Sequence, residues 1–307
     1  MGIRSKAGLR WILAPVVYIV GKVGRRFPEA VVRLRYFLRF KKPLNLKNPQ
    51  TLNEKILYMS LRTDTNLWTR LADKYSVRGY IEECGLSDIL VPLHGHWESA
   101  EEMDFDALPE GFVLKTVQGS GDIIFVRDKS QMDRESVRKK MDVAVKTKYG
   151  ELEGGKHYMR IKPGIVAEGL LENDAESERH SSSIIDYKVW CFNGKPHYIW
   201  VCCNRDKSGT DVMVYDLDWN AHPEFSVASS YFRQGREIPR PANLERMLEV
   251  AEKLAKPFPV VRVDLYNIAG RIYFGEMTFT SVAGLMNFYS DEFQSIAGSL
   301  IDVNYKG

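Results

Sequence analysis

The chain has few cysteines, four in 307 residues, and Cys84, Cys191, Cys202 and Cys203 show no CxxC or other metal-ligand spacing. That excludes a zinc knuckle and a disulfide framework, and leaves buried, reduced thiols as in a cytosolic protein. The adjacent Cys202 and Cys203 sit in an apolar run and are expected to pack within a strand. Long hydrophobic runs are also missing. The apolar stretch "WILAPVVYIV" (11–20) is too short for a bilayer, which takes roughly 20 residues, and "KVGRRF" follows it in place of a small-x-small cleavage site. No internal repeat is visible, so a solenoid or propeller is not expected. No Ser-His-Asp or Cys-His arrangement has a readable spacing. His94 and His96 flank Gly95 without a third ligand and are expected to be loop structure.

What is present is an ordinary globular composition, 44% apolar and 27% charged, long enough for two lobes. The charge is unevenly placed. Residues 1–42 hold eleven Lys or Arg and one acid, a net +10, so the remainder carries −7 of the total +3. A cationic head on a mildly acidic body calls for an anionic partner. "PEAVVRLRYFLRFKK" places Val31, Leu34, Phe37 and Leu38 on one helical face beside Arg33, Arg35 and Arg39. Two readings stay open: helices packed on the body, or attachment to an anionic membrane surface. No nucleic-acid-binding module accompanies the charge, so nucleic acid is not an expected partner.

Along the body, Thr51 and Glu54 have capping-box spacing before a helical pattern. "NLWTRLADKYSVRGYIEECG" keeps helical spacing up to Gly85. "SQMDRESVRKKMDVAVKTKYG" and "NLERMLEVAEKLAK" are further helices. "GIVAEGLLEND" is a strand, and "DYKVWCFNGKPHYIWVCC" a hairpin turning at Asn193-Gly194. Strands and helices mix without regular βαβ alternation, which points to the α+β class.

Two stretches could carry chemistry. In "FVLKTVQGSGDIIFV" (112–126), Lys115 precedes a loop whose glycines at 119 and 121 would let the backbone approach a phosphate; a plain hairpin is the alternative. A strand follows the loop, so it is neither a Walker A loop nor a Rossmann turn. In "PVVRVDLYNIAGRIYFGEMTF", Asp264 and Glu276 lie on two strands joined at Ala269-Gly270, and Arg262 shares the face of Asp264. Two hard-oxygen ligands on rigid strands suit Mg²⁺ with phosphate; an ion pair on an exposed hairpin is the alternative.

The order of "FVLKTVQGSGDIIFV", "VAEGLL", "DYKV", "RVD" and "GEMT" resembles the ATP-grasp superfamily, and within it the TupA-like family of bacterial cell-surface polysaccharide clusters. The strings that carry the likeness run from about residue 42 to 300. The resemblance implies ATP and Mg²⁺ between two α+β lobes behind a helical N-terminal segment. The expected divisions are a basic head (1–42), a helical preamble (43–105), a first lobe (106–170) and a second lobe (171–307). It implies that Lys115 and the loop of Gln118, Gly119, Ser120, Gly121 and Asp122 meet the phosphates. Glu168, Gly169 and Leu170 would hold adenine, and Lys188 would face the nucleotide. Asp264 and Glu276 would be the metal ligands, with Thr278 where most relatives carry Asn, and Arg262 would steady charge in transfer.

The reaction implied is activation of a carboxylate as an acyl phosphate, followed by attack of an amine such as an amino acid. The partners would be a saccharide acceptor, lipid-linked at the inner face of the plasma membrane, and the small amine. Arg205 and the "TFTSVAGL" loop are candidates for acceptor contacts. A glycosyltransferase is the alternative, with "YDLDW" supplying Asp216 and Asp218 in DxD form, although a turn feature is the simpler reading of that pair.

Overall fold

The computed structural model describes residue 22 and residues 24–307, so the apolar run at 11–20 and most of the basic head's first half lie outside it. Helix α1 (Pro28–Phe40) opens with a proline and Glu29 in its first turn and stops at Lys41, which is left-handed (φ 57°). It buries Val31, Val32 and Tyr36, whereas Leu34, Phe37 and Leu38 face outward. The expected apolar stripe is therefore split between two faces. Val32 and Tyr36 win the core side because they fit among Leu44, Leu46, Leu57 and Leu61.

Helix α2 (Leu52–Arg62) carries the expected capping box between Thr51 and Glu54. The helical pattern up to Gly85 is not one helix but two, α3 (Asn66–Ala72) and α4 (Val77–Glu83). The break has a local cause. The Asp73 carboxylate accepts the backbone N–H groups of Tyr75 at 2.8 Å and Ser76 at 3.2 Å, offering the chain a turn in place of helix.

The first sheet has the order β1-β4-β2-β3, all antiparallel: β1 (Leu93–Trp97), β2 (Phe112–Thr116), β3 (Ile123–Val126) and β4 (Ile165–Gly169). Helix α5 (Arg134–Val145), capped by Asp133, packs Val137, Met141 and Val145 against Phe112, Leu114, Ile165 and Ala167. Because β1 pairs with β4, the segment 43–105 is not purely helical; its last part is an edge of the first lobe. His94 and His96 sit on this strand rather than in a loop, and His96 stacks on Tyr75 at 3.7 Å.

The short helices α6 (Lys156–Met159) and α7 (Ala175–His180) lead to the second sheet, ordered β10-β9-β5-β6-β7-β8. It comprises β5 (Asp186–Phe192), β6 (Lys195–Asp206), β7 (Gly209–Tyr215), β8 (Phe232–Gln234), β9 (Val260–Ile268) and β10 (Arg271–Thr278), antiparallel except for β7 with β8. The Asn193-Gly194 turn has both residues left-handed (φ 48° and 76°), the type I′ geometry that matches strand twist. Helix α8 (Leu244–Ala255) buries Met247, Val250, Ala251 and Leu254 in the same core as Val189, Val261 and Val263, and helix α9 (Asp291–Ser299) completes the chain. Helices α2 to α4 also join this larger core. Cys191, Cys202 and Cys203 are buried free thiols, as expected of strand packing. Two separate, mainly antiparallel sheets with helices between and upon them make the fold α+β.

Candidate active site

Strand register builds the first wall. Lys188 on β5, Asp264 on β9 and Glu276 on β10 are direct neighbours across three strands, and Trp190, Arg262 and Thr278 form the next row. Glu276 reaches this face through a bulge. The pairing runs regularly from Arg271↔Ile268 to Phe274↔Leu265, then skips Gly275 and resumes at Glu276↔Asp264. A Cβ at Gly275 would stand 3.0 Å from the Asp264 carbonyl oxygen, so glycine suits the inserted position.

Arg262 is the hub of the row. Its Nε donates to Asp264 Oδ1 and its Nη2 to Asp264 Oδ2, both at 2.7 Å, a bidentate fork. Nη2 also reaches Thr278 Oγ1 at 3.1 Å and Glu276 Oε1 at 3.2 Å, while Nη1 donates to Ser281 Oγ at 2.6 Å. Thr278 donates its hydroxyl to Glu276 Oε1 at 2.7 Å. Lys188 is salt-bridged to Asp264 and, at 2.6 Å, to Asp186, which Arg205 also approaches at 3.2 Å. Burial works against the Lys188 charge, but Asp186 and Asp264 outweigh it and raise its pKa above the ordinary lysine value. Burial likewise opposes ionisation of Glu276, yet Arg262, Lys188 and Lys74 together pull its pKa down to about 2. Asp264 is only 2% exposed in its side chain, whereas Glu276 is 44% exposed.

The opposing wall comes from the first sheet. Lys115 on β2 forms a 2.7 Å ion pair with Glu168 on β4, and Arg78 from α4 approaches the same carboxylate at 3.5 Å. The loop between β2 and β3 is tightly folded: Gly121 is left-handed (φ 87°), and a Cβ at Gly119 would collide with Thr116 Oγ1 and lie 2.8 Å from Asp122 Oδ2. The side chain of Gln118 turns into the lobe instead, where it donates to Val145 O at 3.1 Å and accepts from Gly164 N–H. It anchors the loop. Lys74, in the break between α3 and α4, donates through Nζ to the Gly119 carbonyl, and its backbone N–H bonds Val117 O. Burial lowers the Lys74 pKa, opposed first by the charge of Glu276 on the far wall.

Between the walls lies a cavity of about 450 Å³. Of the residues expected at the site, Gly119, Ser120, Lys188, Arg205, Arg262, Glu276 and Thr278 line it. Lys115, Gln118, Gly121, Asp122, Glu168, Gly169, Leu170 and Asp264 do not. Lys115 and Glu168 form a pair on the first sheet, and Gly169 N–H is used by Pro92 O at 2.9 Å. Asp264 stands directly behind Arg262. The loop after β10 also reaches the cavity with Ser281, Val282 and Ala283. There Val282 and Ala283 are left-handed (φ 47° and 57°), a strained conformation for a β-branched residue and one that clusters at functional sites. Asp216 is spent on a turn, accepting from Asn220 N–H at 2.8 Å and from Asn220 Nδ2 at 2.9 Å.

A family model described as TupA-like ATP-grasp matches residues 54–302. The chain belongs to the TupA-like ATP-grasp family. Among solved structures, D-alanine–D-alanine ligase from Bacillus anthracis complexed with ATP is similar at 16% identity and a TM-score of 0.41, over 68% of this chain and 55% of that one. The same enzyme from Helicobacter pylori is similar at 12% identity and a TM-score of 0.41, over 84% and 69%. N5-carboxyaminoimidazole synthetase from Staphylococcus aureus complexed with ADP is similar at 12% and 0.37, over 73% and 50%. The matched part thus spans between half and about two thirds of each of those chains. No match is found among curated proteins.

Three cavity groups of this ATP-grasp protein had not been singled out in the sequence. Lys74 lies within "LADKYSVRGYI", but a lysine in a helical pattern gives no sign that the helix breaks there. Trp200 neighbours Lys188 in the β5–β6 register and lines the cavity; among the described residues its buried indole Nε1 has no hydrogen-bond partner. Tyr158, half-buried in the cavity wall, has its hydroxyl pKa pushed up chiefly by desolvation. Only three-dimensional placement reveals these. Among the described residues, no helix is long and apolar enough to cross a membrane.

Proposed function

We propose that this protein is an ATP-dependent ligase of cell-surface polysaccharide biosynthesis, which activates a carboxylate for attack by an amine such as an amino acid. The observation that carries this reading is the facing of a glycine loop, held by Lys74, with the hydrogen-bonded cluster of Arg262, Glu276 and Thr278 across one cavity. Family membership and the ATP- and ADP-bound structures of similar fold support a nucleotide there.

The residues fit Mg²⁺ and ATP. The carboxylate oxygens of Asp264 and Glu276 are hard donors, and Glu276 presents its carboxylate to the cavity in ionised form. Asp264 would join it on release of Arg262 or Lys188, which now satisfy both of its oxygens. The ion would neutralise phosphate charge. Lys115 and Lys74 would attract the phosphates, and the backbone of 119–121 would close on them. Arg262, always charged and fixed by five side-chain contacts, would stabilise negative charge developing on the transferred phosphoryl group or on the carboxylate under attack. No side-chain nucleophile is needed: the substrate carboxylate attacks the γ-phosphorus, ADP leaves, and the amine then displaces phosphate from the acyl phosphate. Arg205, Trp200, Tyr231 and Phe232, which also line the cavity, have the charge and flat apolar faces that suit a carboxylated sugar.

Purified protein incubated with Mg·ATP, a uronic acid and a panel of amino acids tests the proposal. ADP and phosphate released only when acid and amine are both present support it. Release of a nucleoside diphosphate from a sugar nucleotide, without ATP consumption, would overturn it.

A further inference from the structure

Helix α1 has two working faces. Its inner face reaches the cavity with Val32 and Arg35. Arg35 donates to Leu152 O at 2.7 Å, and Gly154 is packed so closely that a Cβ there would stand 2.9 Å from Val32 Cγ2 and 3.0 Å from Pro28 O. The helix is thus seated on the glycine-rich strap at 150–155 that walls the cavity.

Among the described residues, its outer face has no partner. Phe27, Leu34, Phe37 and Leu38 are 58%, 58%, 51% and 56% exposed, whereas most large apolar side chains among the described residues are buried. Leu34 and Leu38 are one turn apart, Phe37 lies beside them, and Phe27 lies two turns earlier on the same side. Arg39 lies on one side of this strip and Lys41 and Lys42 extend it, while Arg33 on the other side is paired with Glu29 at 2.9 Å and donates to Leu44 O at 3.0 Å. Glu29, the acid of the helix, is also held by Arg62 at 2.7 Å. An apolar strip flanked by an excess of cations is complementary to a surface with anionic headgroups above acyl chains. A protein groove would need acids opposite both rims and an apolar floor, and a second copy of this face would set cation against cation.

We propose that the outer face of α1 docks on an anionic lipid bilayer, lying in its interface while the inner face walls the catalytic cavity. The cavity then stands about one helix diameter, roughly 10 Å, from the headgroups. If the ligase reading holds, a lipid-linked saccharide could reach the site from that side, but docking itself does not depend on it.

The test is co-sedimentation of the full chain with vesicles of pure phosphatidylcholine or of equimolar phosphatidylcholine and phosphatidylglycerol. The expected result is binding to the mixed vesicles, weakened by salt, and at least about tenfold weaker binding to the neutral ones. L34E/F37E should lose about tenfold or more in affinity for the mixed vesicles while keeping the wild-type unfolding midpoint and ATP affinity. Failure of the wild type to bind mixed vesicles would overturn the proposal. So would undiminished binding by L34E/F37E, which would assign attachment to residues 11–20 instead. Self-association abolished by the same substitutions, without vesicle binding, would overturn it in favour of a second copy. Loss of ATP turnover with docking intact would strike only the ligase reading.

Discussion

Glu276 stands opposite Asp264 because Gly275 adds one residue to β10. Side chains alternate along a strand, so the regular register would have set Glu276 opposite Val263, on the other face of the sheet. The bulge is thus what lets one guanidinium, that of Arg262, reach both carboxylates, at 2.7 and 3.2 Å. It also exposes one acid to the cavity and leaves the other behind the arginine, and this asymmetry has consequences that can be measured.

Asp264→Asn and Glu276→Gln should both abolish Mg·ATP turnover but differ in stability. Asp264 neutralises two buried cations at once, so its loss should cost about 3 kcal/mol or more, since breaking a buried pair strands its partners. Glu276→Gln keeps an acceptor for Thr278 at a partly exposed position and should cost clearly less. Urea unfolding and ADP release measure the two effects. Equal stability losses would contradict the buried position of Asp264.

The pH dependence follows from Glu276. Its pKa in the folded protein, about 2, is below the ordinary glutamate value of 4.5. Its charge therefore adds stability that is complete above pH 4.5 and is lost as pH falls towards 2. The difference in unfolding free energy between wild type and Glu276→Gln should be constant from pH 8 to about 5 and shrink below pH 4.5. A difference that shrank between pH 7 and 5 would show that Glu276 is not held by its cations.

Much of this arrangement was legible in the chain. The type I′ turn at Asn193-Gly194 and the capping box at Thr51 and Glu54 are local, and backbone chemistry over a few residues dictates them. The pairing of Asp264 with Glu276 was readable as two acids on a hairpin, but the bulge that makes them face together was not, because glycine in a strand has several meanings. Gln118 was expected at the phosphates by its place in the loop; its burial against Val145 depends on where α5 ends, a contact 27 residues away. The inward face of α1 was misplaced for a similar reason. Val32 and Tyr36 are buried by Leu44, Leu57 and Leu61, and helical periodicity alone could not choose between two apolar faces.

Gly119→Ala tests the loop. The added methyl meets Thr116 Oγ1 and Asp122 Oδ2, both in the hairpin's own turn, so the loop must open while the core beneath it is untouched. ATP affinity, measured by calorimetry, should fall about tenfold, or about 1.4 kcal/mol. The unfolding midpoint should change little. A large loss of stability with ATP affinity retained would make the loop a structural hairpin only.

Trp200→Phe addresses the unpartnered indole. Leaving a buried N–H without an acceptor is costly, whereas the smaller phenyl ring leaves a cavity, so the two effects oppose and stability should change by about 1 kcal/mol or less. The remaining ring can still stack on Phe288, now 4.5 Å away and nearly parallel. If that N–H is kept for the substrate, the KM for the carboxylated acceptor should rise about tenfold, as for loss of one well-placed hydrogen bond, while the KM for ATP stays the same. Unchanged KM values for both would assign Trp200 to the core and leave acceptor recognition to Arg205.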